Sequence, residues 1–185
     1  MFKAFVDWVF PPLCLACRER CSTKHFCPEC WKLCEPPDPA LHCRHCFVEL
    51  EQKRSMCPQC TREPVLSAAR AFVFDKKAPI QRIAEDYPEA IAGFAVNQWI
   101  RLEWPMPDAV ILMPDRESKE VGKIFSKLLE RPGKKLRNRF KEEQQFLLFD
   151  ASNSVENLQK AVSSLSESFP KRIFVLTLFQ NEFLC

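Results

Sequence analysis

Eight of the eleven cysteines fall into four Cys-x-x-Cys pairs, Cys14/Cys17, Cys27/Cys30, Cys43/Cys46 and Cys57/Cys60, all in the first third of the chain. The spacing lets a tight turn aim both thiolates of a pair at one metal ion, and four sulfurs complete a tetrahedral Zn2+. Eight sulfurs imply two closed structural sites. Sequential pairing puts Cys14, Cys17, Cys27 and Cys30 on one ion, and Cys43, Cys46, Cys57 and Cys60 on the other. A cross-braced arrangement would join the first pair to the third and the second to the fourth. The sequence leaves both open, with sequential pairing the favoured one. Phe26-Cys27-Pro28-Glu29-Cys30 and Met56-Cys57-Pro58-Gln59-Cys60 read as two similar halves, each closed by a Cys-Pro-x-Cys knuckle. Cys21 and Cys34 are expected to be packed thiols. His25, His42 and His45 are expected to support the ligand shells or face solvent, since cysteine fills both sets. No open coordination position is implied, so the zinc is expected to be structural.

Two other stretches could do chemistry. Met113-Pro114-Asp115-Arg116 and Asp150-Ala151-Ser152-Asn153-Ser154 each follow a short apolar run and precede a helical one. In α/β sheets ligands bind outside the carboxyl ends of strands, where helix N-terminal N–H groups and hydroxyls can hold an anion. Asp150, Ser152, Asn153 and Ser154 are the candidates for phosphate or ribose binding, and Asp150 is the one catalytic candidate. Arg131, Lys134, Lys135, Arg137, Arg139 and Lys141 form a basic tract with no acid among them. It suits phosphates of a nucleotide or of single-stranded DNA, or a protein partner, or else serves as a solvated connection.

The elements that must position these groups can be read from periodicity. Met1 to Val9 has helical apolar spacing, stopped by Pro11. Residues 61–67 form a linker. Ala68 to Phe74 reads as a strand, Asp75-Lys76-Lys77 as a turn, and Pro79–Asp86 and Ile91–Leu102 as helices. From Asp108 the pattern becomes strand (Ala109–Met113), helix (Ser118–Glu130), strand (Gln145–Phe149), helix, strand (Arg172–Phe179). Asn153 and Glu156 are expected to form a capping box for the second of these helices, with Val155, Leu158, Val162 and Leu165 on its buried face. The expectation is an α/β protein with a mostly parallel sheet: a zinc-binding module with a short N-terminal helix over 1–63, then an α/β domain over 68–185.

The net charge of +3 is too small to mark a nucleic-acid protein, and eight thiolates with two Zn2+ would turn it slightly negative. Asp7 and Pro11-Pro12 make Met1–Phe10 a poor secretory signal, and no apolar run is long enough to cross a membrane. Clustered cysteines without a secretion signal point to metal binding in a reducing, cytoplasmic setting.

Phe10-Pro11-Pro12-Leu13-Cys14-Leu15-Ala16-Cys17, Cys27-Pro28-Glu29-Cys30-Trp31, the later cysteine pairs, Ala109-Val110-Ile111-Leu112-Met113-Pro114 and the strand ending at Asp150 together resemble the ComF family. These are competence-associated proteins related to amidophosphoribosyltransferases. The resemblance implies a zinc module joined to a type I phosphoribosyltransferase-like domain. It also implies phosphoribosyl pyrophosphate with Mg2+ as substrate, and a cytoplasmic role linked to natural transformation and DNA uptake. Ala151 stands where the family has a second acid, and no glycine follows Ser152, Asn153 and Ser154 in the phosphate loop. The expectation is therefore a catalytically impaired binding or assembly factor, with single-stranded DNA or a competence-machinery protein as partner. An active Mg2+-dependent phosphoribosyltransferase and a zinc-containing single-stranded nucleic-acid-binding protein are the alternatives.

Overall fold

The cysteine-rich stretch holds two copies of one local design. In each, an antiparallel bridge (Leu13 with Arg20, His42 with Glu49) brackets the first Cys-x-x-Cys turn. The turn closes through Arg18 N–H to the Cys14 carbonyl in one copy and Phe47 N–H to the Cys43 carbonyl in the other, both at 2.9 Å. The residue after each turn, Arg18 or Phe47, is left-handed (φ 65° and 61°). A non-glycine residue there costs roughly 1–2 kcal/mol, which the rest of the knuckle must outweigh. The second cysteine pair of each copy opens a short helix, α1 (Pro28–Leu33) and α2 (Pro58–Arg62), with proline at its first position.

The computed structural model describes residues 12–21, 26–51, 55–62, 68–75, 80, 83, 86–136, 144–152, 154–168 and 170–180. The helix expected over Met1 to Val9, His25, Asn153, Arg137, Arg139 and Lys141 lie outside them. So does most of the expected linker, and of the helix expected over 79–86 only Ile80, Ile83 and Asp86 are described, all helical.

Strands β1 (Ala69–Phe74), β2 (Ala109–Leu112), β3 (Gly133–Lys135), β4 (Gln145–Asp150) and β5 (Arg172–Phe179) form one sheet in the order β1-β5-β4-β2-β3. All four pairings are parallel. Helices α3 (Pro88–Arg101), α4 (Arg116–Leu128) and α5 (Val155–Ser166) complete the described fold. The central strands are apolar on both faces, as a sheet covered by helices on each side requires. Leu147 and Phe149 of β4 join Val121 and Phe125 of α4 and Ile91 and Ala95 of α3 in one buried cluster. Phe146 and Leu148, pointing the other way, join Leu158, Ala161, Val162 and Leu165 of α5 in a second. On α5 those positions recur at helical spacing and form its apolar stripe.

The sheet is wholly parallel, and it has one strand that periodicity missed. Gly133–Lys135, expected as part of a basic connection, pairs with Val110–Leu112 as an edge strand. Helix α4 begins at Arg116 rather than Ser118, because the Asp115 carboxylate caps it by accepting from Ser118 N–H at 2.8 Å. The cap of α5 is Ser154, whose hydroxyl accepts from Asn157 N–H. Glu156 does not close a capping box; it pairs with Lys160 one turn on, at 2.6 Å.

Candidate metal centres and the crevice at the sheet's switch point

The structure brings the eight cysteines into two groups in sequential order. Cys14, Cys17, Cys27 and Cys30 have their sulfurs within 4.8 Å of one another, and so do Cys43, Cys46, Cys57 and Cys60. A tetrahedron with Zn–S bonds of about 2.3 Å has edges of about 3.8 Å. The Cys17–Cys27 and Cys46–Cys57 sulfurs lie 3.9 and 3.7 Å apart. The two groups also share their backbone support. Cys27 N–H points at Cys14 Sγ and Cys57 N–H at Cys43 Sγ, both at 3.3 Å. Cys30 N–H points at Cys27 Sγ and Cys60 N–H at Cys57 Sγ, both at 3.4 Å. Such N–H···S contacts favour the charged sulfur.

Electrostatics point the same way. Burial would raise Cys14, but N–H groups of Cys27, Cys17 and Ala16 outweigh it and bring the thiol down to about 6. Burial, with the neighbouring thiols adding to it, drives Cys30 well above the ordinary thiol range. Burial is also the main reason Cys60 is pushed up to about 12. Without a cation, each group thus resists full ionisation; a divalent ion at the centre removes that conflict. The donor sets fit, and each group could hold one zinc ion. Cys34 is a buried thiol raised to about 11 by burial and by the Cys14 charge, and neither it nor Cys21 belongs to a group. His42 is no ligand: its ring stacks on Phe47 at 4.5 Å and Nδ1 lies 2.7 Å from the Asp38 carbonyl.

The second cysteine group is fastened to the sheet. Arg70 on β1 donates from its backbone N–H to the His45 carbonyl at 2.8 Å and from Nε to the Cys46 carbonyl at 3.0 Å. The outer edge of β1 is thereby covered. Phe47 packs edge-on against Phe72 of β1, with ring centroids 5.1 Å apart.

The two acidic loops meet. β2 and β4 are neighbours, yet α4 and α5, which follow them, lie on opposite faces of the sheet, so the crevice between their carboxyl ends is the topological switch point. Asp150 is fully buried there. Its Oδ1 accepts from Ser152 N–H at 3.0 Å and from the Ser152 hydroxyl at 2.7 Å. Ala151 N–H donates to Ser118 Oγ at 2.7 Å, and Ser154 N–H reaches Ser152 Oγ at 3.4 Å. Oδ2 of Asp150 and Oδ2 of Asp115 are both buried without a hydrogen-bond partner. Burial raises the Asp150 carboxyl above the usual range, Ser152 pulls it partly back, the Asp115 charge adds to the rise, and the Ser118 hydroxyl lowers it by a smaller amount. Periodicity located this pair of loops, but not Ser118, which ties one to the other.

The basic tract is placed only in part. Arg131 and Lys135 are exposed and Lys134 is half-buried, at the β3 edge of the sheet. Among the described residues, no helix is long and apolar enough to cross a membrane. No family model matches this chain, and neither a curated protein nor a solved structure matches it significantly.

Proposed function

We propose that this is a two-zinc, phosphoribosyltransferase-related protein of the ComF type, impaired in phosphoribosyl transfer. It acts as a binding or assembly factor, with single-stranded DNA or a protein of the DNA-uptake machinery as its partner. The observation that carries the impaired reading is that the described N–H groups of the loop after β4, at Ala151, Ser152 and Ser154, are already engaged. A loop that cradles a 5′-phosphate must present free N–H groups. Here Ala151 N–H is taken by Ser118, and Ser152 N–H by Asp150. Ser154 N–H turns to Ser152. Ala151 contributes no second carboxylate. The parallel sheet with its switch point between β2 and β4 supports the phosphoribosyltransferase-like architecture, and the two four-cysteine groups support the zinc module.

One observation favours an active enzyme: the unpartnered Oδ2 atoms of Asp150 and Asp115. Those two carboxylates are the groups that would hold Mg2+ beside a pyrophosphate, and the metal would neutralise charge on the leaving group. Calorimetric titration of phosphoribosyl pyrophosphate with Mg2+ into the zinc-loaded chain separates the readings. No heat up to millimolar ligand, from protein shown to be folded, is the expected result. Micromolar binding abolished by Asp150→Asn would overturn it.

A further inference from the structure

At the end of the sheet opposite Asp150, a cleft of about 840 Å3 opens between the second cysteine repeat, the last turn of α3 and the start of β5. Its size is that of a small-molecule site. Three arginines from separate parts of the chain line it: Arg44 from the repeat, Arg101 from α3 and Arg172 from β5. Two acids oppose them, Asp38 and Glu103. Asp38 is already engaged, accepting from Ala40 N–H at 3.0 Å and lying 3.8 Å from Arg101. Arg101 is held further by donating to the Pro36 carbonyl at 2.7 Å. Arg44 and Arg172 form no ion pair among the described residues, and both are exposed.

The cleft also has an aromatic wall. Trp104 leans on Phe174 with ring centroids 4.9 Å apart and stays half-buried. The turn that delivers it passes through Glu103 in a left-handed conformation (φ 52°). His42, another lining residue, has its ring fixed. A carbonyl only accepts, so Nδ1 carries the proton toward Asp38.

We propose that this cleft binds a nucleotide, with Arg44 and Arg172 on the phosphate and Trp104 against the base. Guanidinium groups pair with phosphate oxygens in a fork that lysine does not offer, and an indole face accepts any base by stacking. The site lies away from the switch-point crevice and does not depend on how Asp150 is read. A free mononucleotide and the end of a single strand present the same chemistry.

The test titrates AMP, inorganic phosphate and a short oligo-dT into the zinc-loaded full chain, followed by calorimetry and tryptophan fluorescence. AMP is expected to bind more tightly than phosphate, and added salt to weaken it. The double variant Arg44→Gln/Arg172→Gln should lose at least about tenfold in affinity, Trp104→Leu should bring AMP down toward phosphate, and Asp150→Asn should change neither. Both arginines are exposed, so the double variant is expected to keep two zinc ions and unfold cooperatively, which confirms a folded protein. AMP binding more tightly than oligo-dT assigns the site to free nucleotides, and the reverse, with the same arginine dependence, to single strands. Equal binding of AMP and phosphate would overturn the proposal. So would binding that survives the double variant, or no binding of any probe at millimolar concentration.

Discussion

Asp150→Asn should stabilise this protein at neutral pH. Asp150 is fully buried, and only its Oδ1 is satisfied, by Ser152. Asparagine keeps an oxygen in that role and replaces the unpartnered Oδ2 with a neutral amide. A buried unsatisfied polar group costs about 1–3 kcal/mol, more when charged, so a gain of about 1–3 kcal/mol is expected at pH 7.5. The pH dependence has a definite sign. Folding raises the carboxyl above its unfolded value of about 3.9, so the native state binds the proton more tightly. The stability this contributes is complete below the unfolded value and is lost as pH rises through the folded one. Wild type should therefore fall behind the asparagine variant as pH rises across that window, by about 1.4 kcal/mol for each pH unit that separates the two values. Urea unfolding of both zinc-loaded proteins at several pH values gives the difference, in which proton competition at the cysteines cancels. An asparagine variant less stable than wild type at pH 7.5 would refute the reasoning. Added Mg2+ that stabilises wild type alone would show that the two carboxylates await a cation.

Gly122→Ala should destabilise by about 1–3 kcal/mol, because a Cβ there would sit 2.6 Å from Leu112 Cδ2 and 2.9 Å from Phe149 Cδ1; thermal unfolding will show whether improved helix propensity offsets this. Phe47→Ala removes a buried ring stacked on His42 and packed edge-on against Phe72, and a loss of about 3–5 kcal/mol in denaturant unfolding is expected. Gln98→Met leaves the Pro37 and Phe72 carbonyls without the amide that donates to both, at 3.1 and 3.2 Å, and should lower stability by about 1–3 kcal/mol. Metal analysis should find two zinc ions per chain. A strong chelator should lower the unfolding midpoint of the whole protein, read by far-ultraviolet dichroism of the α/β part, rather than melt the cysteine repeats alone.

What the sequence made legible was what is local. A Cys-x-x-Cys turn needs only its own four residues to set two sulfurs, so the eight ligands could be read directly, while their division between two ions could not. Strands β2, β4 and β5 are buried on both faces and appear as apolar runs, which also placed the loops at Asp115 and Asp150. Strand β3 was hidden because Gly133-Lys134-Lys135 has no apolar period; it is a strand only because β2 offers it an open edge. The cap of α5 was misplaced by one residue because Asn153 and Ser154 are both cap formers, and side-chain reach decides between them. The arginine cleft gave no signal at all. His42 and Arg44, Arg101 to Trp104, and Arg172 with Phe174 are far apart in the chain; Trp104 meets Phe174 directly, and the docking of the second repeat on β1 brings in His42 and Arg44.

That docking would make a metal in either group a matter for the whole fold. Cys14, Cys30, Cys34 and Phe47 belong to the same buried cluster as Phe72, Val110, Leu147, Phe174 and Leu176. The polar fastenings run in both directions across it. Arg70 on the sheet holds the carbonyls of His45 and Cys46. Gln98 and Arg101 on α3 hold those of Pro37 and Pro36, in the segment joining the two repeats. Modules of this size cannot bury enough apolar surface to fold unaided, and a structural zinc site supplies roughly 10–16 kcal/mol in isolated fingers. A knuckle without an ion would expose the edge of β1, free Phe47 from Phe72 and dismantle the wall that carries Arg44. Zinc in this chain would therefore act on the sheet and on the cleft beyond it, and a metal-binding defect would be felt as a defect in both.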